Sequence, residues 1–122
     1  MAKKNPTTAE LEILSLLWQK EPLTVKEIHQ LLTEKKDIGY TTALKIMQNM
    51  TQKGLLRREP NGKSHLYFAD VEQNSTQETL INKLVDTAFS GSASNLVMQL
   101  LGNKSTSEEE IDAIKEIIKK LE

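Results

Sequence analysis

Asn61-Gly62 separates two short strand-like runs, Leu55-Leu56-Arg57-Arg58-Glu59 and Ser64-His65-Leu66-Tyr67-Phe68. Both residues of the dipeptide tolerate positive φ, so the pattern predicts one β-hairpin. Everything before it has helical punctuation. Thr7-Thr8-Ala9-Glu10 is a capping box, in which a Thr hydroxyl accepts from the N–H three residues on and the Glu reaches back. It opens a helix carrying Leu11, Ile13, Leu14, Leu16, Leu17 and Trp18, stopped by Pro22. Thr24-Val25-Lys26-Glu27 opens a second, with Ile28, Leu31 and Leu32 on one face, broken by Asp37-Ile38-Gly39. A third is predicted from about Thr41 to Lys53, with Gly54 where a C′ glycine belongs. Three helices followed by a hairpin is the plan of a winged helix-turn-helix.

Downstream the pattern is helical again. Ser75-Thr76-Gln77-Glu78 has the spacing of a third capping box, leading a helix with Leu80, Ile81, Leu84, Val85, Ala88 and Phe89 that Gly91 ends. A short segment with Leu96, Val97, Leu100 and Leu101 closes at Gly102. Ser107-Glu108-Glu109-Glu110 starts a last helix, its acidic first turn matched to the helix dipole. The expected fold is therefore mainly α with a small β-hairpin: a winged-helix domain over residues 1–72 and a helical region over 73–122.

That tail buries too little surface to stand alone, so it must pack on the winged helix or on another subunit. Ile111, Ile114, Ile118 and Leu121 recur at three- and four-residue steps, with Ile117 beside them, as in an a/d seam. Helix-turn-helix proteins commonly act as two-fold dimers, which favours a dimerisation module built on Leu80, Leu84, Val97, Leu100 and that seam. A monomer of five or six helices is the alternative.

Of the 122 residues none is cysteine, which excludes disulfides, zinc–thiolate sites and iron–sulfur clusters. His29 and His65 alone make a poor metal site, and no P-loop, GxGxxG or GxSxG occurs, so neither a cofactor, a metal nor an enzyme activity is expected. Trp18, Tyr40, Tyr67 and Phe68 are too far apart for a base-stacking platform and are expected in the core. No run is long and apolar enough to enter a membrane, and the N-terminus lacks a signal-peptide core, so a cytoplasmic location is expected.

The net charge of −1 hides an asymmetry. Residues 35–68 hold seven cations (Lys35, Lys36, Lys45, Lys53, Arg57, Arg58, Lys63) against Asp37 and Glu59, a local +5. Placed on a helical wheel, Ala43, Met47 and Met50 form a core stripe flanked by Leu44 and Ile46. The opposite face holds Thr41, Thr42, Lys45, Gln48, Asn49 and Gln52, without one acid. Such a face forgoes the Glu–Lys pairs usual on exposed helices and suits a major groove, where amides and hydroxyls read base edges. Lys53, Arg57, Arg58, Asn61 and Lys63 complete the expected DNA-contacting set. Because strand residues alternate faces, only one of the two arginines is expected to face DNA.

The ordered motifs resemble those of the penicillinase and methicillin-resistance repressors, the BlaI/MecI family, over nearly the whole chain. The resemblance rests on Ala9-Glu10-Leu11-Glu12-Ile13-Leu14-Ser15-Leu16-Leu17-Trp18, on Tyr40-Thr41-Thr42-Ala43 leading to Lys53-Gly54-Leu55, on the wing with Leu66-Tyr67, and on Ser94-Asn95-Leu96-Val97-Met98-Gln99-Leu100. It implies a homodimer on dyad operators of double-stranded DNA. It also implies a membrane sensor-protease as partner, triggering cleavage in the dimerisation region. The family's scissile Asn-Phe aligns with Gln99-Leu100, and its usual second Thr and Arg of the recognition helix with Lys45 and Asn49, so both operator and inactivation route can differ here. Two other readings stay open at this point. One is a winged-helix protein-interaction module. The other is a ligand-sensing regulator with a pocket near Phe89, Met98 and Leu101.

Overall fold

Thr7 caps helix α1 (Thr8–Gln19): its Oγ1 accepts from the Glu10 N–H at 3.2 Å, and Glu10 Oε1 accepts from the Thr7 N–H at 2.8 Å. The computed structural model describes residues 5–121, with side chains through residue 120. Thr24 and Glu27 make the same reciprocal pair, at 3.1 and 3.0 Å, to start α2 (Val25–Thr33). Helix α3 (Tyr40–Lys53) has no side-chain cap at Gly39 and ends at Gly54, whose φ of 83° is left-handed. A residue without Cβ takes that conformation at no steric cost, and the Leu55 N–H then returns to the Met50 carbonyl at 2.9 Å.

Strands β1 (Leu56–Asn61) and β2 (Ser64–Ala69) pair antiparallel, with Leu56 opposite Ala69 and Asn61 opposite Ser64. This register puts Gly62-Lys63 in the two-residue turn, one position beyond the expected Asn61-Gly62. Only Gly62, at φ 63°, is left-handed there, which is the pattern of a turn with glycine at its first central position. Leu23 joins β2 through an isolated bridge to Tyr67, its N–H donating at 3.2 Å and its carbonyl accepting at 2.8 Å. The wing is thereby fastened to the segment between α1 and α2.

The chain divides into two compact units, Met1–Gln77 and Glu78–Glu122. The first has a continuous apolar core. Ile13, Leu14 and Leu17 of α1 meet Ile28 and Leu32 of α2, Met47 and Met50 of α3, and Leu55, Leu56 and Tyr67 at the wing's base. Trp18 is half-buried, packs on this core, and donates from Nε1 to the Val71 carbonyl at 3.1 Å. Glu21 Oε2 accepts from the Ala69 N–H at 2.9 Å, so the segment leaving β2 is held at two points.

Helices α4 (Gln73–Ala88), α5 (Ala93–Gly102) and α6 (Glu108–Leu121) follow. Helix α4 starts two residues before the Ser75 motif. Ser75 and Thr76 donate their hydroxyls back to the Glu72 carbonyl, at 3.3 and 2.7 Å, so here the hydroxyls serve the helix backbone. Ser90 (φ 50°) and Gly91 (φ 86°) follow α4 in left-handed backbone, and Ser92 caps α5 by accepting from the Asn95 N–H. Ser107 accepts from the Glu110 N–H to start α6, as its sequence predicts. None of the described residues in the second unit is fully buried, and Met98 (68%) and Ile117 (57%) are the most exposed large apolar groups there. The molecule is thus mainly α with one hairpin, a winged helix followed by three further helices.

Candidate nucleic-acid interface

Helix α3 separates cleanly into two faces. Ala43, Met47 and Met50 are fully buried, with Leu44 and Ile46 half-buried beside them. Thr41, Thr42, Lys45, Gln48, Asn49 and Gln52 are all exposed. Two adjoining hollows of about 450 and about 420 Å³ border this outer face. One lies between the start of α2, α3 and the wing, with Lys26, Tyr40, Gln48, Lys63 and His65 in its wall. The other runs along α3 past Lys45, Asn49 and Gln52. Gln48 and Arg58 belong to both, and no Asp or Glu lines either. The walls of the two hollows are therefore rich in donors and free of acids, a chemistry that suits base edges and phosphates.

The basic stretch is not uniform. Lys36 donates to Glu12 Oε1 at 2.9 Å, Lys53 is bound by both carboxylate oxygens of Glu10, and Arg57 pairs with Glu59 at 3.1 Å. Lys35, Lys45, Arg58 and Lys63 make no such pair among the described residues, and the last three of these line the hollows. The cations that remain available thus gather where α3 meets the wing.

Strand register decides between the arginines. Arg57 shares a side of the wing with its partner Phe68, and its guanidinium lies 4.0 Å from that ring's centroid. Arg58 shares the opposite side with Tyr67 and turns toward α3. Asn61 and Lys63 are exposed at the tip.

Several groups near the interface escaped the sequence reading. Tyr40, expected in the core, is 47% exposed at the head of α3 and lines the larger hollow, because Ala43 one turn on takes the inward position. His29 on α2 is half-buried: Nε2 bonds the Ile38 carbonyl at 2.8 Å and the ring stands edge-on to Tyr40. Lys26 and His65 come to the hollow only through tertiary folding, and no local signal singles them out. Phe68 is half-buried, and Tyr67 alone of the four aromatics is in the core proper.

Glu10 is the one buried charged group among the described residues, with 4% of its surface exposed. Burial opposes its ionisation, but the Lys53 ammonium and the Thr7 N–H outweigh it and hold the carboxyl below the ordinary glutamate range. The Thr24 N–H lowers Glu27 in the same way. No group of three or more His, Asp or Glu among the described residues could hold a metal, and no described helix is long and apolar enough to cross a membrane.

Residues 6–120 match the family model of the penicillinase repressors. The chain belongs to the penicillinase repressor family. Among its relatives, this family member is 21% identical over 114 residues to the methicillin resistance regulatory protein MecI of Staphylococcus aureus, covering 93% of each chain. It is 22% identical over 118 residues to the penicillinase repressor of Bacillus licheniformis, covering 95% of this chain and 92% of the other. The solved DNA-binding domain of the repressor BlaI superposes with a TM-score of 0.53 at 22% identity, over 59% of this chain and 90% of that one. The monomeric form of Bacillus licheniformis BlaI, solved with the blaP half-operator, gives 0.51 at 21% identity, over 60% and 92%. At these identities the structural likeness is one of fold.

Proposed function

We propose that this penicillinase repressor-family chain is a homodimeric transcriptional repressor that reads a dyad operator with the outer face of α3 and holds the DNA backbone with its wing. The observation that carries the reading is the acid-free, exposed row Thr41, Thr42, Lys45, Gln48, Asn49 and Gln52, bordered by the unpaired Arg58 and Lys63. Hydroxyls and amides supply base-edge contacts, and Lys45 supplies guanine or phosphate contact. Arg58, Asn61 and Lys63 supply phosphate contacts, which fix register without reading sequence. The solved half-operator complex of a winged-helix relative supports double-stranded DNA as the ligand. A DNA-reading role places the protein in the cytoplasm. Replacing Thr42 or Lys45 by alanine is expected to weaken operator binding about tenfold or more while leaving thermal stability unchanged. Undiminished binding would remove α3 as the reading element and favour a protein partner for this face.

The second unit supports the dimer. It lacks cysteine, none of its described residues is buried, and Leu84, Leu100, Ile117 and Ile118 on its helices are exposed. Leu80, Val97, Ile111 and Ile114 are half-buried, and a second copy would cover both sets. Leu121, also expected on the seam, has its side chain outside the described residues. Release would follow from proteolysis in residues 91–104, in response to a membrane sensor-protease. Gln99 and Leu100 are exposed within the short helix α5. A protease binds extended chain, so α5 must open before cutting, and its lack of buried residues makes that opening cheap.

A further inference from the structure

We infer that Glu10 and Lys53 form a positioning pair, a buried carboxylate at the first turn of α1 that fixes the C-terminal end of α3 and withholds Lys53 from DNA. The inference rests on α3 being the reading helix. Glu10 Oε1 accepts from Lys53 Nζ at 3.0 Å and from the Thr7 N–H at 2.8 Å, and Oε2 accepts from Lys53 Nζ at 2.8 Å. The carboxylate thus joins the start of one helix to the end of another, 43 residues apart in sequence. Lys53 keeps 29% of its side-chain surface exposed, yet its ammonium is turned inward onto both oxygens.

The need for such a lock follows from what lies under α3. Its buried stripe is Ala43, Met47 and Met50. A methyl and two unbranched thioethers fill space well but define a helix orientation poorly, because methionine adapts to many packings. Leu44 and Ile46 pack only partly buried beside that stripe, so directional contacts add to what sets the angle at which Thr42 to Gln52 meet a groove. They stand at the two ends. At the head, His29 bonds the Ile38 carbonyl just before α3; at the tail, Glu10 holds Lys53. Asn49 lies one turn before Lys53 and Gln52 beside it, so a tilt at the tail displaces two base-reading amides.

The test separates a positioning role from a phosphate contact. Operator binding is measured over a salt series for wild type, K53M, K53R, E10Q, the K53M/E10Q double variant and K45A. E10Q keeps an oxygen for the Thr7 cap, and K53R keeps the charge, so both remain useful should K53M lower stability. K53M and E10Q are each expected to weaken binding roughly tenfold, with K53R near wild type. The double variant is expected to be no worse than either single change, because one lock is broken once. The slope of log K against log salt should stay at the wild-type value in all of them, whereas K45A should lose about 0.9. A K53M slope reduced by about 0.9, with E10Q binding as wild type, would make Lys53 a phosphate contact and overturn the inference. Unchanged affinity in both variants would overturn it as well. Absence of operator binding by wild type would instead defeat the DNA-reading role of α3. In that event amide exchange at residues 48–53 decides: at least about tenfold faster exchange in K53M, with the rest of the first unit protected, supports the pair, and unchanged exchange overturns it.

Discussion

Arg57 and Arg58 are neighbours with opposite fates, and the difference is purely one of strand alternation. Arg57 stacks on Phe68 and pairs with Glu59 on one side of the wing; Arg58 faces α3 on the other. Arg58→Ala is expected to lower operator affinity and reduce the salt slope by about 0.9, while Arg57→Ala leaves the slope unchanged. Binding titrations at several salt concentrations read both. Glu10 carries a second prediction at this scale. Its carboxyl titrates below the ordinary value of 4.5 in the folded chain, so its stabilisation is present above that value and is lost as pH falls through the folded one. Thermal unfolding across that range should show wild type losing its advantage over Glu10→Gln as the medium becomes acid. At neutral pH the substitution should cost about 1–2 kcal/mol, less than for a fully buried pair because Lys53 is partly solvated. The sequence alone placed Glu10 in a cap and Lys53 on the DNA side. Their meeting is a tertiary event between residues far apart in the chain, which no local pattern records.

At the scale of elements, caps and periodicity carried most of the information. The Thr7 and Thr24 boxes, Gly54 and the hairpin all lie where side-chain chemistry requires them, since each depends on residues within a few positions. The hairpin turn slipped by one residue because Asn61 and Gly62 both tolerate positive φ, and strand pairing chose which was used. Ser75 resembled a cap because hydroxyls bond backbone in two directions, and Glu72 offered a carbonyl. Tyr40 was misplaced because the spacing of the aromatics excludes a stacking platform but does not say where the core ends along α3. Differences between elements also bear on the proposed release. The end of β2 is pinned by Glu21 and the segment after it by Trp18, whereas α5 has no buried residue. Brief digestion by a nonspecific protease should therefore cut first within residues 91–104. A first cut at 71–74 would contradict local opening of α5.

For the whole molecule, the contrast between the two units is the main physical fact. The first buries a continuous core of residues from α1, α2, α3 and both strands; the second has exposed isoleucines, leucines and a methionine and no fully buried residue among those described. If a second copy covers that surface, folding and association are linked, and the unfolding temperature must rise with protein concentration. A concentration-independent transition, with a monomer by sedimentation, would contradict the dimer. The central claim, that α3 and the wing read operator DNA, is tested most directly by fluorescence anisotropy on the DNA upstream of the protein's own gene, over a salt series. A repressor dimer neutralising roughly six to ten phosphates should bind it in preference to unrelated duplex and lose about 10³- to 10⁵-fold in affinity between about 50 and 200 mM salt. Weak binding with no sequence preference and a flat salt dependence would contradict that claim.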